Sequence, residues 1–240
     1  MRTGICNVGR VLAGTALLAL AGCGLIGVDG NGQRVSEVRA LEGFSAVDSE
    51  GSLDVLIVRG DAFRVEVSID SNLLALVRTH VAGDALAIDT DGPIGDVVAG
   101  PHVVVTMPVL RGAAVNGSGS LWAGSFEQAE PVSLAIDGSG ELAFVGDVPR
   151  AEVRISGSGD ARLQGTAAAL GVTVEGSGAV DARNLDATTA DLSVSGSGDL
   201  AATVNGSVRV TVSGSGSVDL YGGAVLERVD VSGSGSITRH

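Results

Sequence analysis

Serine is abundant in this 240-residue chain, and the seven serines of a repeated tripeptide and the three histidines are considered first for nucleophilic catalysis. Each of these serines is the middle residue of a Gly-Ser-Gly tripeptide, and the histidines are His80, His102 and His240. A hydrolase serine often lies in a Gly-x-Ser-x-Gly turn that exposes its hydroxyl. The sequence has no copy of that pattern, and the histidines are isolated, so we expect them on the surface. The sequence therefore predicts no catalytic residue and no enzyme.

Phosphate and metal chemistry are also poorly supported. The glycine-rich tripeptides are followed by neither a helix nor a lysine, which a phosphate-binding loop needs, and the net charge of −13 opposes nucleic acid. Glu141 and Asp160 occupy the same position after consecutive tripeptides and are the weak metal candidates, but calcium takes six to eight oxygen ligands. We predict solvated carboxylates, no metal and no cofactor. At the next position, Arg162 and Asp181 are predicted to form an ion pair.

Cys23 is the one residue placed for a specific covalent modification. Arg2 and Arg10 precede the apolar run Val11–Ala21, which is too short to span a bilayer and has the proportions of a secretory signal. The sequence Leu-Ala-Gly-Cys that closes this run resembles the site at which bacterial lipoproteins are processed. That resemblance implies cleavage between Gly22 and Cys23 and a lipid on the Cys23 thiol.

Processing at this site would change the composition of the mature chain. Loss of Arg2 and Arg10 leaves 13 Arg against 28 acidic residues, a formal charge of −15, and loss of Cys6 leaves a single thiol, so no disulfide can form. We expect a signal peptide at 1–22 and a lipidated, flexible tether at 23–40. The protein would be exported and membrane-anchored, in the outer membrane or periplasm of a Gram-negative cell or on the surface otherwise.

A repeat near 19 residues organises the second half of the chain. The tripeptides recur at spacings of 18 to 21 residues, which is typical of a solenoid and too short for a propeller blade. Apolar residues lie two and four positions before each tripeptide and two positions after it, with period-2 alternation between. The middle serines would form a ladder at the corners: Ser118, Ser139, Ser158, Ser177, Ser197, Ser215 and Ser234.

These observations predict an all-β fold, a parallel β-helix in which each coil pairs with its neighbours at a rise of about 4.8 Å. Parallel crossovers favour the right-handed form. We divide residues 41–240 into an irregular N-terminal section, 41–112, and seven regular coils, 113–240. Within the irregular section the patterns predict four strands and one helix, namely 53–58, 63–69, 85–89 and 102–107 as strands, with a hairpin or tight turn at 59–61, and 71–79 as a short helix.

The chain resembles a known bacterial family in the passage Val103–Leu110, a strand with a central Thr-Met-Pro, and in the Gly-Ser-Gly that follows at Gly117. With the repeating coils and the processing site, this is similar to the head GIN domain family, also labelled putative auto-transporter adhesin. The resemblance covers about Phe44 to the C-terminus. It implies a β-helical, envelope-anchored protein and supplies no catalytic residues.

The leading interpretation is a non-catalytic structural, adhesive or protein-interaction module, bound to the membrane through Cys23 and contacting an unknown envelope or surface protein. The alternatives are a polysaccharide-binding or polysaccharide-processing β-helix and an envelope sensor or assembly accessory. One Trp and one Tyr argue against sugar binding, which favours aromatic platforms. The last coil, Val229 to Ile237, is followed by no capping helix in the sequence, so we expect end-to-end self-association there.

Overall fold

The computed structural model describes residues 27–240, so the predicted signal peptide, the Gly22–Cys23 cleavage site and the Cys23 lipid lie outside the described residues. All regular structure in this range is β, and the range holds no helix with the length and apolarity needed to cross a membrane. The strands are β1 Arg34–Arg39, β2 Ala46–Gly51, β3 Val55–Arg59, β4 Arg64–Asp70, β5 Val77–Ala82, β6 Ala85–Thr90, β7 Val103–Met107, β8 Gly112–Gly117, β9 Ser120–Glu127, β10 Val132–Gly138, β11 Glu141–Gly157, β12 Asp160–Gly176, β13 Ala179–Gly196, β14 Asp199–Val204, β15 Ser207–Gly214, β16 Ser217–Tyr221, β17 Val225–Gly233 and β18 Ser236–Arg239.

The strands from β8 onward stack in parallel as the repeat predicts. Each coil has one strand before its Gly-Ser-Gly corner and one after it, and equivalent corner glycines pair in register, as Gly138 does with Gly157 and Gly157 with Gly176. The segments just before the corners form what we call the first face, and those just after the corners form the second face; β11, β12 and β13 run from one corner to the next and contribute to both. The parallel β-solenoid expected from the sequence is therefore confirmed.

The predicted apolar rows form the interior. Two positions before the corner, Val115, Ile136 and Ile155 are 0–2% exposed, and the rows four before and two after are equally buried up to the penultimate coil. Stacking places each apolar side chain on its equivalent in the coils above and below, which removes it from water without large aromatic groups. Two aromatic rings, those of Phe126 and Phe144, are nevertheless fully buried in this interior.

The corner glycines are required by backbone shape and by close approach. Gly157 has φ +125°, which L side chains rarely adopt, and a Cβ there would overlap the carbonyl oxygen of Gly138 one coil below. A Cβ on Gly159 would come within 2.6 Å of the carbonyl oxygen of Gly140. Both glycines of the tripeptide are thus determined by stacking at about 4.8 Å.

The solenoid begins earlier than the first tripeptide. β2 and β3 pair in parallel with β8 and β9, and Gly51 takes the corner position below Gly117 with φ +95°. Beneath this layer, β6 and β7 continue the two faces, and antiparallel β5, β4 and β1 complete the N-terminal end. The Gly-Ser pair at positions 51 and 52 is the sequence signal for this additional layer.

Two local expectations are wrong, and a third holds in part. Residues 60–63 reverse the chain between β3 and β4, but the two strands form no hairpin, because β7 lies between them and pairs with both. Residues 71–76 form turns rather than a helix, and β5 starts at Val77, because the Leu73 side chain is fully buried under the sheet end. Within the tether, the part described is ordered: β1 pairs with β4, and the buried Asp70 carboxylate accepts from the N–H of Gly32.

Candidate functional site

The serine ladder lies on the solenoid surface at the corners between the two faces. All seven corner serines are exposed, and within residues 27–240 their hydroxyls make no hydrogen bond. Their backbone N–H groups hold the corners together instead, as Ser158 donates to the carbonyl of Gly138 at 2.8 Å and Ser177 to that of Gly157 at 2.8 Å. The hydroxyls form a free polar row, and the structural role of each corner rests on its backbone.

One of the two candidate carboxylates beside the corners, Glu141, is paired with an arginine. Glu141 and Asp160 pair in register as expected, and the Arg162 guanidinium lies 3.3 Å from the Glu141 carboxylate. The predicted Arg162–Asp181 ion pair is absent from the described residues although the two positions are in register, because Asp181 binds Arg183 at 2.6 Å. Arg183 thereby holds the pKa of Asp181 below its ordinary value through a hydrogen bond. No group of three or more metal-ligating side chains occurs within 27–240.

Two histidines are exposed as expected, and one is not. His80 lies 3.9 Å from Asp89, and the His240 ring stacks on Tyr221 with centroids 4.5 Å apart. His102 is 3% exposed at the start of β7, so its assignment to the surface is wrong. Its Nδ1 accepts a hydrogen bond from the Asp54 N–H, and this contact between neighbouring strands explains why a histidine can be buried there. None of these histidine contacts involves a corner serine.

Trp122 forms an aromatic platform on the second face. Its side chain is 44% exposed on β9, and the far edge of the indole lies over Gly124, where a Cβ would overlap the ring. The next coils place Ala143, Arg162 and Asp181 beside it in register. The small Ala143 side chain in the next coil leaves the indole accessible. The charged Arg162 and Asp181 lie two and three coils from Trp122.

A shallow pocket of about 220 Å³ opens beside this platform. Gln164 and Asn184 line it together with Trp122, Arg162 and Asp181, so it combines an apolar ring with amide, guanidinium and carboxylate groups. We call it the Trp122 pocket. This pocket was not expected from the sequence, because the chain as a whole is poor in aromatic residues.

Two β-bulges flank the Trp122 pocket. The register shifts between β9 and β11 near Gly124 and Ser125, where Ser125 has φ +65°, and again between β12 and β13 near Arg183. Bulges bend strands and redirect side chains. The sequence carries a signal for both, because the two coils concerned have the longest spacings of the repeat, 21 and 20 residues.

The last coil, β17 with β18, exposes side chains that are interior elsewhere. Val229 and Val231 are 44% and 46% exposed, whereas Val210 and Val212, their equivalents one coil earlier, are 0% and 1% exposed. This end of the described structure therefore presents the apolar interior of the solenoid to solvent.

The architecture defines a class, the parallel β-solenoid with glycine-rich corners and an antiparallel N-terminal end. A family model described as putative auto-transporter adhesin, head GIN domain, matches residues 43–224, and the chain belongs to this family. The match begins beside the additional layer and ends before the last coil. The resemblance found in the sequence is therefore confirmed.

Solved structures with the same fold cover most of this chain. A protein described as a putative adhesin from Bacteroides fragilis is 21% identical, with a TM-score of 0.77 over 89% of this chain and 100% of that chain. A protein described as a putative lipid binding protein from Parabacteroides distasonis is 22% identical, with a TM-score of 0.70 over 89% and 99%. A comparison with curated proteins gives no match.

Proposed function

We propose that this protein is a non-catalytic adhesive or binding module, anchored to the bacterial envelope by a lipid on Cys23. Membership of an adhesin family supports a binding role. The observation that carries the anchoring is the position of Cys23 behind an apolar run and directly before the ordered domain.

The distance from Cys23 to the domain fixes how the solenoid would stand on a membrane. Val28 already pairs with Ile94, and the N–H of Gly30 donates to the carbonyl of Asp96 at 2.7 Å. Five residue steps from Cys23 to Val28 span at most about 18 Å. A lipid on Cys23 would therefore hold the N-terminal end close to the bilayer and leave the last coil as the far end.

Cell fractionation with two cysteine variants tests the anchor. Cys23→Ala should release the protein from membranes and abolish incorporation of labelled fatty acid, whereas Cys6→Ala, which changes the cysteine within the signal segment, should leave both unchanged. Persistence of Cys23→Ala on membranes would refute the anchor. A pull-down from membranes with the wild-type protein, using Cys23→Ala as the unlipidated control, then identifies envelope partners.

The Trp122 pocket favours a second candidate function, the binding of a neutral saccharide. An exposed indole offers a flat apolar surface on which the apolar face of a pyranose can stack. The amides of Gln164 and Asn184 and the Asp181 carboxylate can hydrogen-bond sugar hydroxyls. Binding is favoured over cleavage, because a glycosidase general acid needs a raised pKa, whereas the pKa of Asp181 is lowered by Arg183.

The single tryptophan makes this candidate directly measurable. Titration with cellohexaose or maltohexaose should give a saturable change in indole emission, which can come only from Trp122. Trp122→Ala should weaken binding measured by calorimetry about tenfold or more, and Tyr221→Ala serves as the aromatic control on the same face. No emission change with either sugar removes this candidate but leaves the envelope anchor untouched. Shortened sugar chains after incubation would instead indicate processing.

A further inference from the structure

We infer that the last coil is an interface through which two copies of this chain associate end to end. The exposed Val229 and Val231 continue rows of side chains that are at most 3% exposed in every preceding coil. Val225 and Leu226 add 66% and 36% exposure on the same strand. Covering this end would remove a contiguous apolar surface from water.

The backbone of the last coil is also ready to pair. β17 pairs with β15 on one side, and β18 pairs with β16 on one side, and within residues 27–240 neither has a strand on its other edge. Two adjacent edges on opposite faces of one coil form a template for another chain. A second solenoid end has the same two edges and the same width.

The opposite end of the molecule disfavours head-to-tail stacking. There the interior is closed by buried Leu73, Phe44 and Ile69, which are 0%, 2% and 1% exposed. The outermost strand, β1, exposes Val35 and Val38 but also carries Arg34, Glu37 and Arg39, and such charges discourage pairing. The open end therefore fits another open end better than it fits the N-terminal end, which favours a closed two-fold dimer over a fibre.

Two-fold symmetry determines the strand direction, and charge pairing favours one register. An axis perpendicular to the solenoid makes β17 antiparallel to its copy. Centring the pair on Val229 places Arg228 opposite Asp230 of the second copy, twice, and Val229 opposite itself on the interior side. Centring on Arg228 or on Asp230 would put like charges opposite each other, which is destabilising. The sequence Arg-Val-Asp is thus self-complementary in the antiparallel arrangement.

The outward charges of β17 are free to change partner. Arg228 and Asp230 contact each other within the strand, with side chains 71% and 49% exposed. In the dimer, each Arg228 would contact Asp230 of the second copy instead of Asp230 of its own strand. The number of contacts between opposite charges therefore stays the same. On the other face, Ile237 of β18 lies in the row of Val218 and would meet the second copy's interior.

Charge reversal tests the register. Sedimentation velocity is run on the protein extracted from expressing cells in one detergent, so that any lipid contributes equally to every variant. We expect a dimer for the wild type and about tenfold or more weaker association for Arg228→Asp or Asp230→Arg alone. An equimolar mixture of the two variants should restore dimers, because each strand then carries the opposite charges, and so should the double variant.

Arg154→Asp is the matched control, since position 154 lies in the same outward row as Asp230 four coils away. It should leave association unchanged. A monomeric wild type over the accessible concentrations, or single variants that associate as the wild type does, would overturn the inference. Monomers in the mixture of single variants would overturn this register. A heavier complex with another protein, in place of the dimer, would mean that a different partner covers the end.

A cysteine at the symmetry axis gives an independent readout in intact cells. Val229→Cys opposes itself in the proposed pair, where strand geometry brings two Cα atoms to about 4.5–5.5 Å, close enough for a disulfide. Val210→Cys, its buried equivalent one coil earlier, should not cross-link. Absence of a Val229→Cys dimer under oxidation would contradict the two-fold arrangement.

The dimer does not depend on the proposed lipid, so the two ideas fail separately. If both hold, the lipid-bearing ends lie at opposite ends of the dimer. Each solenoid rises roughly 34 Å from the Gly51 corner to the Gly233 corner, seven steps of about 4.8 Å. Such a pair could connect two facing membranes, which is a physical basis for adhesion between copies of one protein.

Discussion

The Nδ1 atom of His102 accepts a hydrogen bond of 2.9 Å from the backbone N–H of Asp54, which joins β7 to the segment preceding β3. This contact needs an unprotonated Nδ1, because a proton there would face the N–H. Burial lowers the pKa of His102 below its ordinary 6.5, and the nearby Asp54 carboxylate only partly opposes this shift. Its Nε2 is buried without a hydrogen-bond partner in the described residues.

The neutral His102 makes stability depend on pH. Its folded pKa is below the unfolded value, so its contribution is complete above about pH 6.5 and is lost as pH falls through the folded pKa. His102→Asn, which retains an acceptor and does not titrate, should flatten this part of the profile. Urea unfolding at pH 7.5 and pH 5 measures the difference, with exposed His80→Asn as control. An equal pH dependence in wild type and His102→Asn would contradict the assignment.

Asp48 on β2 predicts an opposite pH effect. Burial, Glu50 and Asp84, in that order, raise its pKa, so the ionised form is less stable in the folded protein. Asp48→Asn should therefore increase the free energy of unfolding at neutral pH, and the gain should shrink as pH falls below the folded pKa. Exposed Asp137→Asn at a corner provides the comparison. A loss of stability in Asp48→Asn at pH 7 would show that the carboxylate is stabilising.

Substitution of the first glycine of a corner should cause a large loss of stability. Gly157→Ala would place a Cβ at φ +125° against the Gly138 carbonyl, and we expect a cost of about 3 kcal/mol or more. Gly223→Ala has no atom within 4 Å of the added Cβ and should change stability by less than about 0.5 kcal/mol. Thermal unfolding followed by circular dichroism compares the two. Similar melting temperatures would contradict the close-stacking explanation.

Substitution of a corner serine, in contrast, should hardly change the stability. Ser158→Ala removes an exposed hydroxyl without a hydrogen bond and leaves the Ser158 N–H on the Gly138 carbonyl. We expect a change within about 0.5 kcal/mol, and the same for Ser177→Ala and for the two together. A cooperative loss in the double variant, measured by urea unfolding, would mean that the hydroxyl ladder stabilises the stack after all.

The repeat made the solenoid predictable because the tripeptide reports a backbone requirement. Positions such as Gly157 and Gly159 accept only glycine where coils approach closely, and Val115 and Val174 fall in phase with them. The N-terminal end was less predictable. Leu73 sits in a run with helical spacing, but tertiary burial under the sheet end outweighed local propensity.

The candidate sites show the same division. Cys23 is recognisable because processing acts on a short linear sequence. The Trp122 pocket is assembled from residues of four coils. The low aromatic content of the chain argued against such a site, because a single well-placed tryptophan hardly changes the overall composition. The two long repeat spacings were its only linear trace.

The sequence by itself determined the all-β solenoid, its family, its corner positions and its buried rows, since each follows from period and from the space that glycine leaves. Only the tertiary structure decided that His102 is buried, that Arg162 meets Glu141 rather than Asp181, and that one end is closed and the other open. These depend on which strands become neighbours across many residues. A side chain contacts the groups that lie near it in space. A sequence repeat predicts which residues are neighbours only where the strand register is unbroken.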